Sequence, residues 1–477
     1  MLPIFKENKE LPKEGPKKAA APKKKAKEGS ITFDTPGNKI HFISLGCPRN
    51  LVDTEVMLGI LLKAGFEPEQ EMKKADFIVI NTCGFLQASR DESLSCIGEA
   101  MEMRKKGAKV IVTGCMVQRH SEEVKEHFPS VDYMLGSGDV EGILKAVSAE
   151  EQGTMITSAK SFLEAGEVPR QLSTPKHFAY LKIAEGCRKK CAYCVIPNIK
   201  GPLKSKTVEQ VIKEFRILRG KGVEEIILIA QDLGDYAKDQ GMKRSDGLVM
   251  LLKEILKEEG DFWLRLLYLY PDEITEELLD IMNQDKRLLP YLDMPIQHIN
   301  NRVLKSMHRA TSKEEIQNII KTLRSKVKDV TIRTSLIVGF PGEKDEEFEE
   351  LLEFVKEWKL DNVGVFKYSN EKGSYAYDME DQIADDVKET RYQRLMQAQA
   401  QALEERQKRF IGKTIDVFVE GYHPETDMLM VGRHKGQCPD IDGAVIINDG
   451  RKVTAFGKRY RVKITEVAGY DLVGKVL

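Results

Sequence analysis

From residue 39 onward, short β-branched apolar runs alternate with longer stretches whose apolar residues recur at helical spacing. Three early runs, KIHFISLGC, ADFIVINTC and KVIVTGC, each close on a cysteine, and helical sequence follows each one. That alternation predicts a parallel, doubly wound α/β sheet over 39–150. After a mixed connector at 151–176 the pattern resumes, with strands expected in FAYLKIAEGC, EEIILIAQD, FWLRLLYLYP, YLDMPIQH, VTIRTSLIVGFPG and DNVGVFKYS. Amphipathic segments such as SKTVEQVIKEFRILRGKG separate them. Six βα units predict a partial barrel over 177–405, with its chemistry at the carboxyl ends of the strands. From residue 406 the pattern changes to short β runs with Gly-rich turns, from TIDVFVEGY to RYRVKITEVAGYDLVGKVL. These predict a small antiparallel β-barrel of OB-like type. The chain is therefore expected to be a multidomain α/β protein.

Composition narrows the class. At 477 residues the chain suffices for two to four domains, and 74 basic against 75 acidic residues imply no strong electrostatic partner for the whole. Charge is uneven, however. Residues 1–28 hold nine lysines and four glutamates with Pro and Ala between them, so a disordered basic tail is expected over 1–38. It reads either as a tether to RNA or a ribosome or as a solubilising extension. No apolar run approaches the roughly 18 residues of a membrane helix, and MLPIFKENKE lacks the pattern of a signal peptide. A cytosolic chain is the expectation. Its eight cysteines then read as ligands or buried thiols rather than disulfides.

Six of those cysteines form two trios. Cys187, Cys191 and Cys194 lie in EGCRKKCAYC, directly after the first expected barrel strand. Cys47, Cys83 and Cys115 end three strands of the N-terminal sheet and would converge on one edge. A structural zinc wants four ligands, and so does an iron–sulfur cube, which binds one cysteine per iron. Three ligands leave one iron open to an exogenous molecule. No histidine is suitably spaced to complete the set at 187–194; His177 lies ten residues upstream of Cys187. Cys96, in SLSCIGEAM, reads as a core thiol, and Cys438 as incidental.

CxxxCxxC after the first strand of a βα barrel resembles the radical S-adenosylmethionine (SAM) enzymes. The N-terminal trio and terminal β-barrel narrow the resemblance to the methylthiotransferases, over residues 39 to the end. The resemblance implies two [4Fe-4S] clusters, one on each trio, and SAM at the open iron of the barrel cluster. It also implies an N-terminal methylthiotransferase domain, a radical SAM barrel and a TRAM-like barrel at 406–477. Tyr193 would lie against the adenine, and Gln297, Gly339 and Gly342 would be cofactor-binding positions. For the glycines of TSLIVGFPGE, a tight strand-to-helix turn is the alternative, and His298 is either a substrate donor or structural. Where the family pattern carries arginines, this chain has Lys200 and Lys206.

Two branches of the family differ in substrate. One modifies an adenosine of transfer RNA; the other (RimO-type) modifies the β-carbon of an aspartate in small-subunit ribosomal protein S-twelve. Pro48 after the first cysteine, and Gln297 with His298, resemble the protein-modifying branch. Residues 410–477 carry ten Lys/Arg and nine Asp/Glu, too balanced for a typical RNA-binding module. Asp440 and Asp442 are the expected contacts to a basic protein substrate. A low-potential donor (flavodoxin or ferredoxin) and a sulfur donor complete the implied partners. A non-enzymatic iron–sulfur scaffold is the alternative from another class, and it would need no barrel.

Overall fold

The run Phe77–Thr82 is buried at all six positions, as a central parallel strand requires, because helices cover both of its faces. The computed structural model describes residues 2–3, 37–157 and 169–477 and divides into two units, each taken by itself. The expected tail at 1–38 lies outside the described residues, apart from Leu2–Pro3 and residues 37–38.

In the first unit the sheet runs in the order Glu67–Pro68, Lys39–Ser44, Phe77–Thr82, Lys109–Gly114, Tyr133–Gly136 and Gly153–Met155. All neighbours in that series are parallel. Leu2–Pro3 adds an antiparallel pair at Ile43 and Ser44. The second strand lies on one side of the first and the third on the other, so a topological switch point separates Lys39–Ser44 from Phe77–Thr82. Ile43, Ile80, Val112, Met116 and Ile97 pack in its core, together with Cys96, whose thiol burial pushes up to about 11. That is the expected core thiol.

The expected linker at 151–176 needs correction at both ends. Gly153–Met155 is an edge strand of the first sheet. Residues 169–173 pack back onto the same unit: Arg170 Nη2 lies 2.6 Å from Glu55 Oε2, and Ser173 Oγ donates to Glu55 Oε1 over 2.9 Å. Glu55 is fully buried, so these partners fix the segment.

In the second unit six parallel strands follow chain order: Phe178–Lys182, Glu225–Ile229, Trp263–Leu266, Leu288–Asp293, Thr331–Val338 and Asn362–Lys367. Helices such as Val208–Gly220, opened by a Thr207–Gln210 capping box, connect them. This is the expected partial barrel. The helix Asp385–Gln407 leads to a closed five-stranded barrel made of Thr414–His423, Thr426–His434, Val445–Asp449, Asp471–Val476 and Lys458–Ala468. Antiparallel pairing throughout was expected, yet Val445–Asp449 and Asp471–Val476 run parallel. The reason is closure: Lys458–Ala468 pairs with both Thr414–His423 and Asp471–Val476, which leaves the last two edges facing the same way.

A loop of this small barrel reaches the six-stranded partial barrel. Arg265 Nη1 donates to Lys435 O over 2.9 Å, and Asp442 accepts from Tyr291 Oη over 2.7 Å. Arg433 Nη2 meets Glu225 Oε2 at 2.9 Å, with both side chains buried. The expectation that Asp442 faces a substrate is therefore corrected. Its side chain is 2% exposed and lies 3.6 Å from Arg333 Nε, so it is an internal anchor. Asp440 is exposed, at φ 60°. Cys438 is fully buried beside it, and burial raises its thiol pKa.

Candidate functional site

Two cysteine-bearing edges stand out, one in each unit. In the first unit, Cys47 caps the helix Pro48–Lys63, and Pro48 takes the first helical position, where a missing N–H costs nothing. Cys115 opens the helix Cys115–His127, and Cys83 directly follows Phe77–Thr82. All three therefore sit at carboxyl ends of neighbouring strands, two of them flanking the switch point. The backbones are close enough that a Cβ on Gly46 (φ 88°) would come within 2.9 Å of Cys83 Cβ. The N-termini of two helices at this edge favour thiolates.

Asn50, which the sequence reading passed over, ties the edge together. Its side-chain amide donates to Leu45 O (3.2 Å) and Thr82 O (3.1 Å), and Cys115 Sγ lies 3.5 Å from its Oδ1. Its position three residues after Cys47 was the available signal.

In the second unit, the loop after Phe178–Lys182 carries Cys187, Cys191 and Cys194 at the carboxyl end of the first barrel strand. A two-residue antiparallel pair, Ala184–Glu185 with Lys204–Ser205, closes its base, and Cys187 N donates to Gly201 O over 3.2 Å. Backbone N–H groups point at two of the sulfurs: Lys189 N at Cys187 Sγ (3.4 Å) and Ile196 N at Cys194 Sγ (3.5 Å). The third, Cys191 Sγ, lies 3.2 Å from Tyr270 Oη. Donors aimed at sulfur suit thiolate ligands, which are acceptors only. Burial pushes the Cys187 thiol up to about 11, so a metal would have to displace its proton.

A single zinc with ~2.3 Å bonds would gather its sulfurs to roughly 3.8 Å of one another. Among the described residues, the only His/Cys/Asp/Glu group with ligand atoms all within 4.8 Å is Asp232, Asp235 and Glu273, so neither trio is drawn in that tightly. The acidic group itself holds lysines: Lys189 Nζ is 3.3 Å from Asp232 and Glu273 and 3.8 Å from Asp235, while Lys238 reaches Asp235 at 2.8 Å. Burial, only partly offset by Lys189, pushes Asp232 up to about 7. Lys189, between the first two cysteines, thus latches the middle of the loop to the ends of the second and third strands.

The other expected positions separate into mouth and wall. Tyr193 packs against a buried cluster that includes Ala192, Met307, Phe340 and Tyr368. Gln297 holds φ 70°, unusual for a residue with a Cβ, and its backbone bonds Ser335 O (2.9 Å) and Ile337 N (2.8 Å) on the next strand. Its side chain is half-buried. Tyr268, just beyond Trp263–Leu266, is held at φ 66°. Gln231, next to Asp232, has a buried amide with neither end hydrogen-bonded, a polar group placed to meet a ligand. Neither position is marked by any local pattern in the chain.

His298 belongs to the wall. It is fully buried, its Nδ1 accepts from Asn300 N (3.0 Å), and burial lowers it to about 4, so it is neutral. Both glycines of GFPG have φ 74°. The turn is secured by Glu343, whose Oε2 accepts from Gly339 N (3.0 Å) while Arg391 lies 2.8 Å from Oε1. A Cβ on Gly339 would strike Lys388 Cγ at 2.3 Å, whereas one on Gly342 would meet nothing nearer than 3.8 Å. Close approach of the helix Asp385–Gln407 therefore leaves no room for a side chain at Gly339. Lys200 and Lys206 pair with Glu185 (2.9 Å) and Glu214 (2.5 Å); single carboxylates satisfy them, so a bidentate arginine is not required.

Comparison with known proteins agrees with this architecture. Residues 39–136 match "Uncharacterized protein family UPF0004", residues 181–355 the "Radical SAM superfamily" and residues 411–477 the "TRAM domain". The radical SAM methyltransferase TsrM from Kitasatospora setae shares the fold, with TM-score 0.51 at 14% identity over 69% of this chain and 75% of that one. Barrel, cysteine loop and superfamily match together define a radical SAM enzyme. "Ribosomal protein uS12 methylthiotransferase RimO" of Protochlamydia amoebophila is 63% identical over the full length of both chains. Those of Chlamydia abortus (93% of this chain, 96% of that one) and Bdellovibrio bacteriovorus (92% and 97%) are 56% and 42% identical. The chain belongs to the ribosomal protein uS12 methylthiotransferase RimO family.

Proposed function

We propose that this radical SAM enzyme adds a methylthio group to the β-carbon of an aspartate in ribosomal protein uS12. The observation that carries the reading is the full-length 63% identity to a protein of that name, with both trios present at strand ends. Membership of the superfamily brings SAM and one [4Fe-4S] cluster. Cys187, Cys191 and Cys194 would hold that cluster; Cys47, Cys83 and Cys115 would hold a second, for the sulfur to be transferred. The bound cluster and SAM together supply, on one-electron reduction, an oxidant able to take hydrogen from an unactivated carbon. The protein's part is to fix the loop and line the mouth. Lys189 latches the loop centre, the Glu185 pairs secure its base, and Gln231, Tyr193 and Gln297 present polar and aromatic groups at the carboxyl ends of the strands. Asn50 holds the second trio's strand ends in register. Among the described residues no helix is long and apolar enough to cross a membrane. A flavodoxin or ferredoxin and a separate sulfur donor are the implied partners.

The test offers purified, anaerobically reconstituted protein two substrates, uS12 (free or in small subunits) and hypomodified transfer RNA. Mass spectrometry should find one added methylthio group on a uS12 aspartate. Modification of the RNA alone would contradict the reading.

A further inference from the structure

Arg309 is buried, 8% exposed, and the fold brings it to a cysteine 118 residues away. Its Nη1 lies 3.8 Å from Cys191 Sγ and its Nη2 donates to Pro295 O over 2.5 Å. The guanidinium also stacks 3.9 Å from the centre of the Tyr270 ring, whose hydroxyl is the 3.2 Å neighbour of the same sulfur. Its described partners are thus a carbonyl, a ring and a sulfur, with no carboxylate among them. A cation taken out of water is costly unless an anion accompanies it. The group placed to balance it is Cys191, whose sulfur would carry negative charge as a cluster ligand.

We propose that Arg309, acting with Tyr270, is a positioning residue that sets the reduction potential of the cluster on Cys187, Cys191 and Cys194. The inference rests on the reading of that trio as a cluster site. The three sulfurs are treated unequally: Cys187 and Cys194 receive neutral backbone N–H groups, while Cys191 receives a fixed charge and a phenol. One-electron reduction by a low-potential reductant adds one negative charge to the cluster. A buried cation beside a ligand sulfur stabilises that reduced form more than the oxidised one, because the low-dielectric surroundings screen it little. Arg309 therefore raises the potential, and Tyr270 adds in the same direction by donating its O–H.

The experiment is a reductive titration of the full, anaerobically reconstituted chain. It follows the electron paramagnetic resonance signal that changes when SAM is added, and iron content is measured in parallel. Arg309→Met should load iron normally and lower the one-electron reduction constant at least tenfold, a shift of about 59 mV. Arg309→Lys should recover most of it, and Tyr270→Phe should shift the same way by less. A full iron load with an unchanged potential in Arg309→Met overturns the inference and leaves the cluster reading intact. Should Arg309→Met fail to load iron, Tyr270→Phe decides, and a parental potential there overturns it. A parent protein whose trio binds no iron fails at the earlier reading instead.

Discussion

Tyr291 donates its hydroxyl to Asp442 across 2.7 Å, joining the fourth strand of the barrel to a loop of the C-terminal module. The same Asp442 carboxylate accepts from Cys438 N at 2.8 Å, so it organises its own loop as well. What reads as an acidic surface signature is the buried end of a plug.

Asp442→Ala should therefore act on stability. It leaves the Tyr291 hydroxyl and the Cys438 N–H buried without an acceptor, at ~1–3 kcal/mol each. Denaturant unfolding should show a loss of about 2–6 kcal/mol, while Asp440→Lys, at an exposed position, should change it by less than about 0.5 kcal/mol. Equal effects would contradict the assignment.

A second anchor has a pH signature. Burial alone would raise the Glu420 carboxyl, but Arg433, 2.8 Å away, and His177, 2.7 Å away, hold it down at about 2. A depressed folded-state value gives stability that is complete above the unfolded carboxyl range near pH 4.5 and lost as pH falls toward about 2. Between pH 5 and 2 the parent protein should lose stability more steeply than Glu420→Gln. Parallel curves would show that the pair contributes nothing.

The two glycines of GFPG should separate. Each sits at φ 74°, where a Cβ costs roughly 1–2 kcal/mol, but only at Gly339 does that Cβ also collide, at 2.3 Å from Lys388 Cγ. Gly339→Ala should lower the unfolding midpoint clearly more than Gly342→Ala. If Gly342→Ala instead proved the costlier, close helix packing would not be what selects Gly339.

The trios should divide the iron and the work. Reconstituted protein should hold about eight irons, four per cube. Replacing Cys187, Cys191 and Cys194 by alanine should leave about four and abolish SAM cleavage. Replacing Cys47, Cys83 and Cys115 should also leave about four, yet keep reductive formation of 5′-deoxyadenosine while ending methylthio transfer. Cleavage surviving the first replacement would reverse the assignment.

Much of this was legible along the chain. The six barrel strands announce themselves because runs such as EIILI hold four consecutive apolar residues and are buried throughout, and turns bound them. The cysteine trios are legible because one is contiguous and the other repeats a strand-end position. What escaped was whatever only folding brings together. Arg309 and Tyr270 reach Cys191 across 118 and 79 residues, and nothing local marks them. Asp442 looked solvated because periodicity does not show that its loop enters a neighbouring module. Gly153–Met155 is three residues long, too short for a period to register.

The central claim is that the hydrogen removed comes from an aspartate β-carbon of uS12. The most direct measurement uses uS12 whose aspartates carry deuterium at the β-carbon, incubated with reconstituted protein, SAM and a low-potential reductant. The account predicts that deuterium appears in 5′-deoxyadenosine in step with methylthio addition to the protein. Turnover that yields 5′-deoxyadenosine free of deuterium, with the aspartate label intact, would contradict it.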